Sequence, residues 1–169
     1  TVGGGVYMNA GAYGGEIKDI AESVEIMDFS GNIRTLTKDE MEFSYRHSCL
    51  EETGEIVISA TFAMQKGDAE QIKTAMKELQ AKRSASQPLD LPSAGSAFKR
   101  PAQGYAAALI DQAGLKGYQV GGAAISTKHA GFVVNNGGAT AQDVKEVLRL
   151  VSDKVYENNR FVDMCTQSL

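Results

Sequence analysis

Four stretches of this 169-residue chain carry side chains or glycines that could do chemistry. Tyr45-Arg46-His47-Ser48 sets one guanidinium among hydroxyl groups, which reads as a ligand contact or as a plain surface turn. Ser93-Ala94-Gly95-Ser96-Ala97-Phe98-Lys99-Arg100-Pro101 joins small residues to a cationic pair. That composition suits an anion or a phosphate, and Lys-Arg before Pro also suits a solvated turn. Gly117 to Ala124 places Gly121 and Gly122 side by side in a strand-like run, where a ligand or a neighbouring backbone can come close. At the start, Gly3, Gly4 and Gly5 precede Asn9-Ala10-Gly11-Ala12-Tyr13-Gly14-Gly15, a segment read as a glycine-rich loop or a short helix start. Such a loop normally follows a strand that aims it, so the opening at Thr1 reads as that of a fragment.

Other chemistries find no support. Two His and two Cys do not make a zinc site at familiar spacings, and no metal centre is expected. There is no Gly-x-x-x-x-Gly-Lys-Ser/Thr loop and no Gly-x-Ser-x-Gly elbow, and the glycine cluster lacks the strand and acidic partner of a dinucleotide fingerprint. On motifs alone the reading stops at a glycine-rich ligand loop or an equally plausible tight structural turn.

The elements that must position these residues follow from periodicity. Ala21 to Phe29 alternates around Val24, Ile26 and Met27 or Phe29; Ser30-Gly31-Asn32 turns the chain, and Ile33 to Leu36 returns as a hairpin strand. Thr37 three residues before Glu40 has the capping-box spacing, which predicts a short helix through Met41 or Phe43. Glu55 to Met64, with Ile56, Ile58, Ala60 and Phe62 on one parity, is the clearest strand. Asp68 caps a long helix with Ile72, Ala75, Met76 and Leu79 on one face and Lys82 and Arg83 in the last turn, ending before Pro88. Ser84 to Gly95 reads as a linker. Beyond it come a helix from Tyr105 to Ala113 stopped by Gly114, a strand from Tyr118 to Ile125, a strand from Gly131 to Asn135, and an amphipathic helix from Thr140 or Ala141 to about Tyr156. Strands and helices mixed without strict βαβ repetition predict an α+β fold in two pieces, 1–82 and 83–169.

Composition bounds the rest. Hydrophobic residues make up 43% and charged residues 22%, an ordinary globular balance rather than a disordered one. The net charge of -4 argues against a nucleic-acid groove, and no run approaches a membrane span. Cys49 and Cys165, without an export signal, are expected to be free thiols in a reducing cytoplasm.

Together and in this order, these segments resemble the UDP-N-acetylenolpyruvoylglucosamine reductase (MurB) family of peptidoglycan synthesis. The resemblance rests on Thr1-Val2-Gly3-Gly4 with Tyr7 to Glu16, on Tyr45-Arg46-His47-Ser48, on Gln87-Pro88-Leu89 leading into Pro92 to Pro101, and on Gly114-Leu115-Lys116-Gly117 through Gly121-Gly122-Ala123 to Lys128-His129-Ala130-Gly131-Phe132. It extends to about Asn159 and implies the second part of an FAD-binding domain followed by a substrate-binding domain. The implied reaction uses NADPH and FAD to reduce UDP-N-acetylglucosamine enolpyruvate. By motif position, Arg46 would stabilise an enolate and Ser96 would deliver a proton. Gly3, Gly4, Asn9, Ala10, Gly11, Tyr13 and Gly14 would line the FAD; Arg83, Arg100, Gln119 and Tyr45 would face the substrate. The resemblance further implies a cytoplasmic enzyme, monomeric when complete, with no nucleic-acid or membrane partner.

The chain departs from the family pattern in three places. These 169 residues do not include the family's first FAD-binding domain; Ser86 stands where a Lys is usual; and Arg160 to Leu169 stand where the family has a strand with a Leu-Glu-x-Glu-Val-Arg pattern that carries a catalytic Glu. The alternative expectation is therefore a truncated, inactive fragment that retains only UDP-sugar binding. A flavoprotein of similar architecture with another substrate is a weaker reading, opposed by Ser96 within its motif.

Overall fold

A computed structural model describes residues 1–101 and 104–159. The chain is α+β and forms two compact units, Thr1–Gly67 and the part from Asp68 onward, each taken by itself below. Among the described residues, no helix is long and apolar enough to cross a membrane.

The first unit opens with a helix, α1 (Val2–Tyr7), where a glycine loop was the expectation. Three glycines are poor helix formers, so tertiary contact must offset their propensity. Thr1 Oγ1 caps the Gly4 N–H at 3.1 Å, and Val6 is fully buried. The helix packs on strand β5 (Ile56–Phe62), where a Cβ on Gly3 would already stand 3.6 Å from Val57 Cβ. A tight hairpin follows, β1 (Gly11–Ala12) paired with β2 (Gly15–Glu16). Its two turn residues, Tyr13 (φ 52°) and Gly14 (φ 87°), both have positive φ, as a type I′ turn requires.

The unit's sheet has the order β4-β3-β5, with β3 (Ala21–Met27) in the centre and β4 (Ile33–Thr37) at one edge, all antiparallel. Val24 and Ile26 point inward and are buried with Val6, Leu36, Met41 and Leu50, while Phe29 lies outside the strand and is exposed. The single-parity reading of β5 fails. Glu25 pairs with Ser59 but Ile26 pairs with Val57, so Ile58 is an extra residue in a β-bulge. The bulge swaps the faces: Ala60 and Phe62 pack inward with Val57, and Ile56 and Ile58 are left exposed. The predicted helix after Thr37 is a single turn. The capping-box bonds form, with Thr37 N–H and Oγ1 both donating to Glu40 Oε2 at 2.8 Å, but Glu42 at φ 49° ends the coil. A four-residue helix, α2 (Leu50–Thr53), completes the unit.

In the second unit, α3 (Ala69–Ser86) starts on the Asp68 carboxylate, which accepts from Glu70 and Gln71 N–H. It runs two residues past Ser84, so the expected linker begins later, and it buries no side chain. After α4 (Ala106–Gln112) comes a sheet of order β6-β7-β8: β6 (Gln119–Val120), β7 (Ala123–Ile125) and β8 (Val133–Asn135). Gly121 and Gly122 are the turn between two strands rather than the middle of one. The last helix, α5 (Ala141–Asn159), lays Val147, Leu148, Val151 and Val155 against Ile110, Ala123, Ile125 and Val133. A Cβ on Gly122 would meet backbone of Ala139 and Gly137 at 2.4–2.5 Å, and one on Gly121 would meet the Asp143 carboxylate at 2.5 Å. Of the two readings of this glycine pair, the structure takes close backbone packing. Cys49 is a free thiol, and burial raises its pKa. Cys165 and the atypical ending from Arg160 lie outside the described residues.

Asp143 ties the glycine turn to α5. Its Oδ2 accepts the N–H of Thr140 (2.9 Å) and of Gly122 (3.4 Å), and Thr140 Oγ1 accepts the Asp143 N–H in return. The Thr140 amide is the largest influence holding its carboxyl below the ordinary aspartate range. A pKa depressed by folding adds stability above the unfolded value, and that stability is lost as the pH falls through the folded one. Asp143→Asn should therefore be less stable than the parent at neutral pH, and the gap should close as the pH falls through the carboxylate range. Urea unfolding followed by circular dichroism at a series of pH values measures both curves; parallel curves would contradict this account.

Candidate active site

In the first unit, the glycine-rich hairpin and the Tyr45-Arg46 turn are locked together around one amide. Asn9 is fully buried and holds φ 43°. Its Nδ2 donates to Ser44 O (2.8 Å) and to Glu16 Oε2 (3.1 Å), and its Oδ1 accepts the Lys18 N–H (2.9 Å). The side chain is thus spent on holding the loop, and what the loop offers a ligand is backbone. Lys18 also bonds Glu16 (2.8 Å), the foremost cause of a lowered Glu16 pKa.

Tyr45 and Arg46 are the two central residues of a tight turn whose ends exchange backbone hydrogen bonds, Ser44 N–H to His47 O and His47 N–H to Ser44 O. Arg46 sits at φ 54°, a left-handed conformation that costs a non-glycine residue roughly 1–2 kcal/mol. Its Nη2 donates to Gly11 O at 2.9 Å, and its guanidinium lies 5.3 Å from the Tyr45 ring centroid. Among the described residues it forms no ion pair, so a half-buried positive charge is left for an anionic group. Ser48, fully buried, donates to Tyr7 O at 2.6 Å and anchors the turn to the end of α1. Gly11 fits closely: a Cβ there would meet Glu16 Cγ at 2.8 Å, Gly15 O at 3.0 Å and Arg46 Nη1 at 3.3 Å. Gly14 and Gly15 instead face open space where a Cβ would stand. The loop therefore presents bare backbone beside a fixed cation, which fits a large, flat or phosphate-bearing group.

In the second unit, strand register decides which residues share a face. Gln119 pairs with Ala124, Ala124 with Val134, and Ser96 with Phe132 through an isolated bridge. Directly paired residues point to the same side. Ser96, Phe132, Val134, Ala124 and Gln119 thus lie on the face opposite the α4 and α5 core, with Ser96 and Gln119 separated by three strand spacings, roughly 14 Å, across the sheet and by a further two residues along it. Ser96 is exposed and donates weakly to Phe98 O at 3.4 Å. Gln119 is oriented by Asn136, which donates to its Oε1, and by its own bond to Gly121 O. Asn136 and Val134 also line a cavity of ≈ 410 Å³ with Pro88, Leu91, Ser126 and Lys128. Arg100 stacks 4.0 Å above the Tyr105 ring. Arg83 stands in the last turn of α3, one residue from Ser84, whose carbonyl accepts from Lys128 Nζ at 2.7 Å.

Residues 87–162 match the family described as UDP-N-acetylenolpyruvoylglucosamine reductase, C-terminal domain. The UDP-N-acetylenolpyruvoylglucosamine reductase of Latilactobacillus sakei is 53% identical over 156 residues, covering 92% of this chain and 52% of the relative. The crystal structure of the Thermus caldophilus reductase, MurB, matches with a TM-score of 0.83 at 37% identity, covering 96% of this chain and 58% of that one. The chain is similar to MurB reductases along nearly its whole length. The Lactobacillus johnsonii reductase is similar along 99% of this chain, at 48% identity, and 55% of its own length is covered. The chain spans about half the length of the curated relatives it matches.

Against this MurB background, the structure groups Asn9, Ala10, Gly11, Tyr13 and Gly14 with Tyr45 and Arg46, and it places Gly3 and Gly4 inside α1. Ser96 and Gln119 share a sheet face, while Arg100 lies against Tyr105 and Arg83 at the end of α3. Sequence reasoning gave no role to Glu16, Ser48, His47 or Lys128. Only His47 left a readable signal, its spacing of four from Glu51, with Nδ1 2.9 Å from Oε2.

The Gly11 fit is testable. Gly11→Ala should destabilise the first unit by about 1–3 kcal/mol, the usual cost of overpacking, and should shift the Arg46 guanidinium signals in NMR spectra. Gly15→Ala, into open space, should change stability by less than about 0.5 kcal/mol. Equal effects of the two substitutions in urea unfolding would show that the close fit at Gly11 is irrelevant.

Proposed function

We propose that this chain forms the flavin-facing and substrate-facing part of a UDP-N-acetylenolpyruvoylglucosamine reductase. Residues 1–82 contribute the second part of the FAD-binding domain, and residues 83–169 bind the substrate. The substrate is UDP-N-acetylglucosamine enolpyruvate, the product UDP-N-acetylmuramate and the reductant NADPH, in a cytoplasmic, monomeric enzyme. One observation carries the reading: Arg46, a half-buried guanidinium with no ion pair among the described residues, is fixed on the Gly11 carbonyl beside a loop of bare backbone.

Bound FAD would supply hydride transfer to the enolpyruvyl double bond, with NADPH restoring its reduced form. The residues of this chain provide what that chemistry lacks. Hydride addition to one alkene carbon leaves an electron pair on the carbon beside the carboxylate, delocalised as an enolate. Two negative charges then share a few atoms, and the Arg46 cation offsets them. A proton must next reach that carbon, and the Ser96 hydroxyl delivers it and is reprotonated from solvent, to which it is open. A serine hydroxyl is a weak acid, so a nearby cation or a water chain must assist it; Lys99, three residues along, is a candidate by its proximity in sequence. Gly3, Gly4, Asn9, Ala10, Gly11, Tyr13 and Gly14 shape the flavin side. Arg83 and Arg100 hold anionic groups of the UDP-sugar, with Gln119 and Tyr45 orienting the sugar and its enolpyruvyl arm.

Two measurements test this. In the protein as its gene encodes it, Ser96→Ala should leave flavin reduction by NADPH near normal and slow reoxidation by the enolpyruvyl substrate at least on the order of 10²-fold, as read by stopped-flow absorbance. Unchanged reoxidation would remove Ser96 from the chemistry and leave a water as the acid. For binding, calorimetric titration of the 169-residue chain with UDP-N-acetylglucosamine should give weak affinity, lowered about tenfold by Arg100→Ala through the loss of a charge-assisted hydrogen bond. Equal affinities would take Arg100 out of the substrate site.

A further inference from the structure

The turn that carries Arg46 is held against its own conformational preference, and its restraints come from three directions. Asn9 Nδ2 grips the Ser44 carbonyl at the start of the turn. Ser48 Oγ, just past its end, is fastened to Tyr7 O. The third restraint is the His47 imidazole, which directly follows Arg46. Its Nδ1 lies 2.9 Å from Glu51 Oε2 and its Nε2 lies 3.6 Å from Glu52 Oε1, both carboxylates belonging to α2. His47 is thus the residue of the turn whose side chain ties it to α2.

We infer that His47 is a positioning residue for Arg46: by clamping the turn to α2 it keeps the guanidinium on the Gly11 carbonyl, where the proposed reaction needs it. The inference rests on the function proposed above. Arg46 sits in the left-handed region, which costs it roughly 1–2 kcal/mol, so a released turn has a driving force to relax. The Arg46–Gly11 contact is one bond between a long side chain and a carbonyl, and a shift of about 1 Å in the turn is enough to misplace such a group for catalysis. The carboxylates held by His47 matter as well. Glu51 and Glu52 follow Arg46 closely in sequence, and the imidazole occupies the space beside both, at 2.9 Å and 3.6 Å. An arginine drawn into an ion pair with either would offer less to a developing enolate.

Substitutions separate this role from general support of the fold. His47→Ala removes the clamp, whereas His47→Asn keeps an N–H donor near the Nδ1 position and should restore the bond to Glu51. In the 169-residue chain, without cofactor, 15N NMR reads the rotation rate of the Arg46 guanidinium and hydrogen exchange at the His47 amide. Both should rise on the order of 10-fold in His47→Ala, with amides of β3 and β4 unchanged, and return to within a few-fold of the parent in His47→Asn. If His47→Ala fails to fold, Glu51→Ala removes the same contact from the other side and should give the same local response. An unchanged Arg46 signal, or a uniform rise across the sheet, overturns the inference.

In the gene-encoded protein, His47→Ala should lower kcat for flavin reoxidation about 10-fold with KM for the UDP-sugar within a few-fold, and His47→Asn should recover it. Local loosening with unchanged turnover would also overturn the inference, since His47 would then be only a structural clamp. A failure of the proposed function looks different: Arg46→Ala itself would leave turnover unaffected.

Discussion

The arrangement of the first unit depends on the burial of one primary amide. An amide removed from water costs on the order of 1–3 kcal/mol for each hydrogen bond left unmade, so the Asn9 side chain is stable in its position only while its partners stay in theirs. Those partners are the Ser44 carbonyl, the Glu16 carboxylate and the Lys18 N–H, drawn from two separate stretches of the chain. Their positions fix the base of the β1–β2 hairpin and the start of the Arg46 turn at once. The bond from Arg46 to Gly11 then closes a ring of contacts that begins and ends at that hairpin. The strained backbone belongs to the same ring: among the described residues, three of the four non-glycine residues with positive φ, Asn9, Tyr13 and Arg46, lie in it.

The second unit solves a different problem, that of giving a small sheet two useful faces. One face is closed by α4 and α5 over Ala123, Ile125 and Val133. The other carries Gln119, Ala124 and Val134, and the Ser96 bridge extends it by a fourth strand position. Closing the first face requires α5 to begin immediately against the β6–β7 turn. There is no room at Gly121 and Gly122 for a side chain, and the Asp143 carboxylate caps both the turn and the helix. The glycine pair therefore serves close packing between the turn and the start of α5.

Much of this organisation was legible in advance because it is local. The Asp68 cap, the stop at Gly114 and the heptad-like valines of α5 each depend on residues within a turn or two of one another, and each stands where periodicity and capping chemistry place it. The four motif clusters were visible for the same reason, and the two that follow Gln87 lie within the residues 87–162 that match the MurB C-terminal domain. Expectations failed where a distant partner intervened. The parity of β5 flipped because β3 accepts only one of two residues at the Ile58 bulge, and the N-terminal glycines coiled into a helix because β5 lies against them.

By itself, then, the sequence determined the α+β class, the main helices and strands, and the residue types available for chemistry, all of which follow from side-chain spacing along the chain. Only the tertiary structure decided how they are used. That the Asn9 side chain braces the loop, that Arg46 keeps a charge unmatched by any ion pair among the described residues, and that Ser96 and Gln119 share a sheet face are facts about contacts between residues up to 36 positions apart. The physical reason is common to all three. Hydrogen-bond satisfaction and strand register couple residues across the fold, and neither leaves a period in the sequence by which its partner could be found.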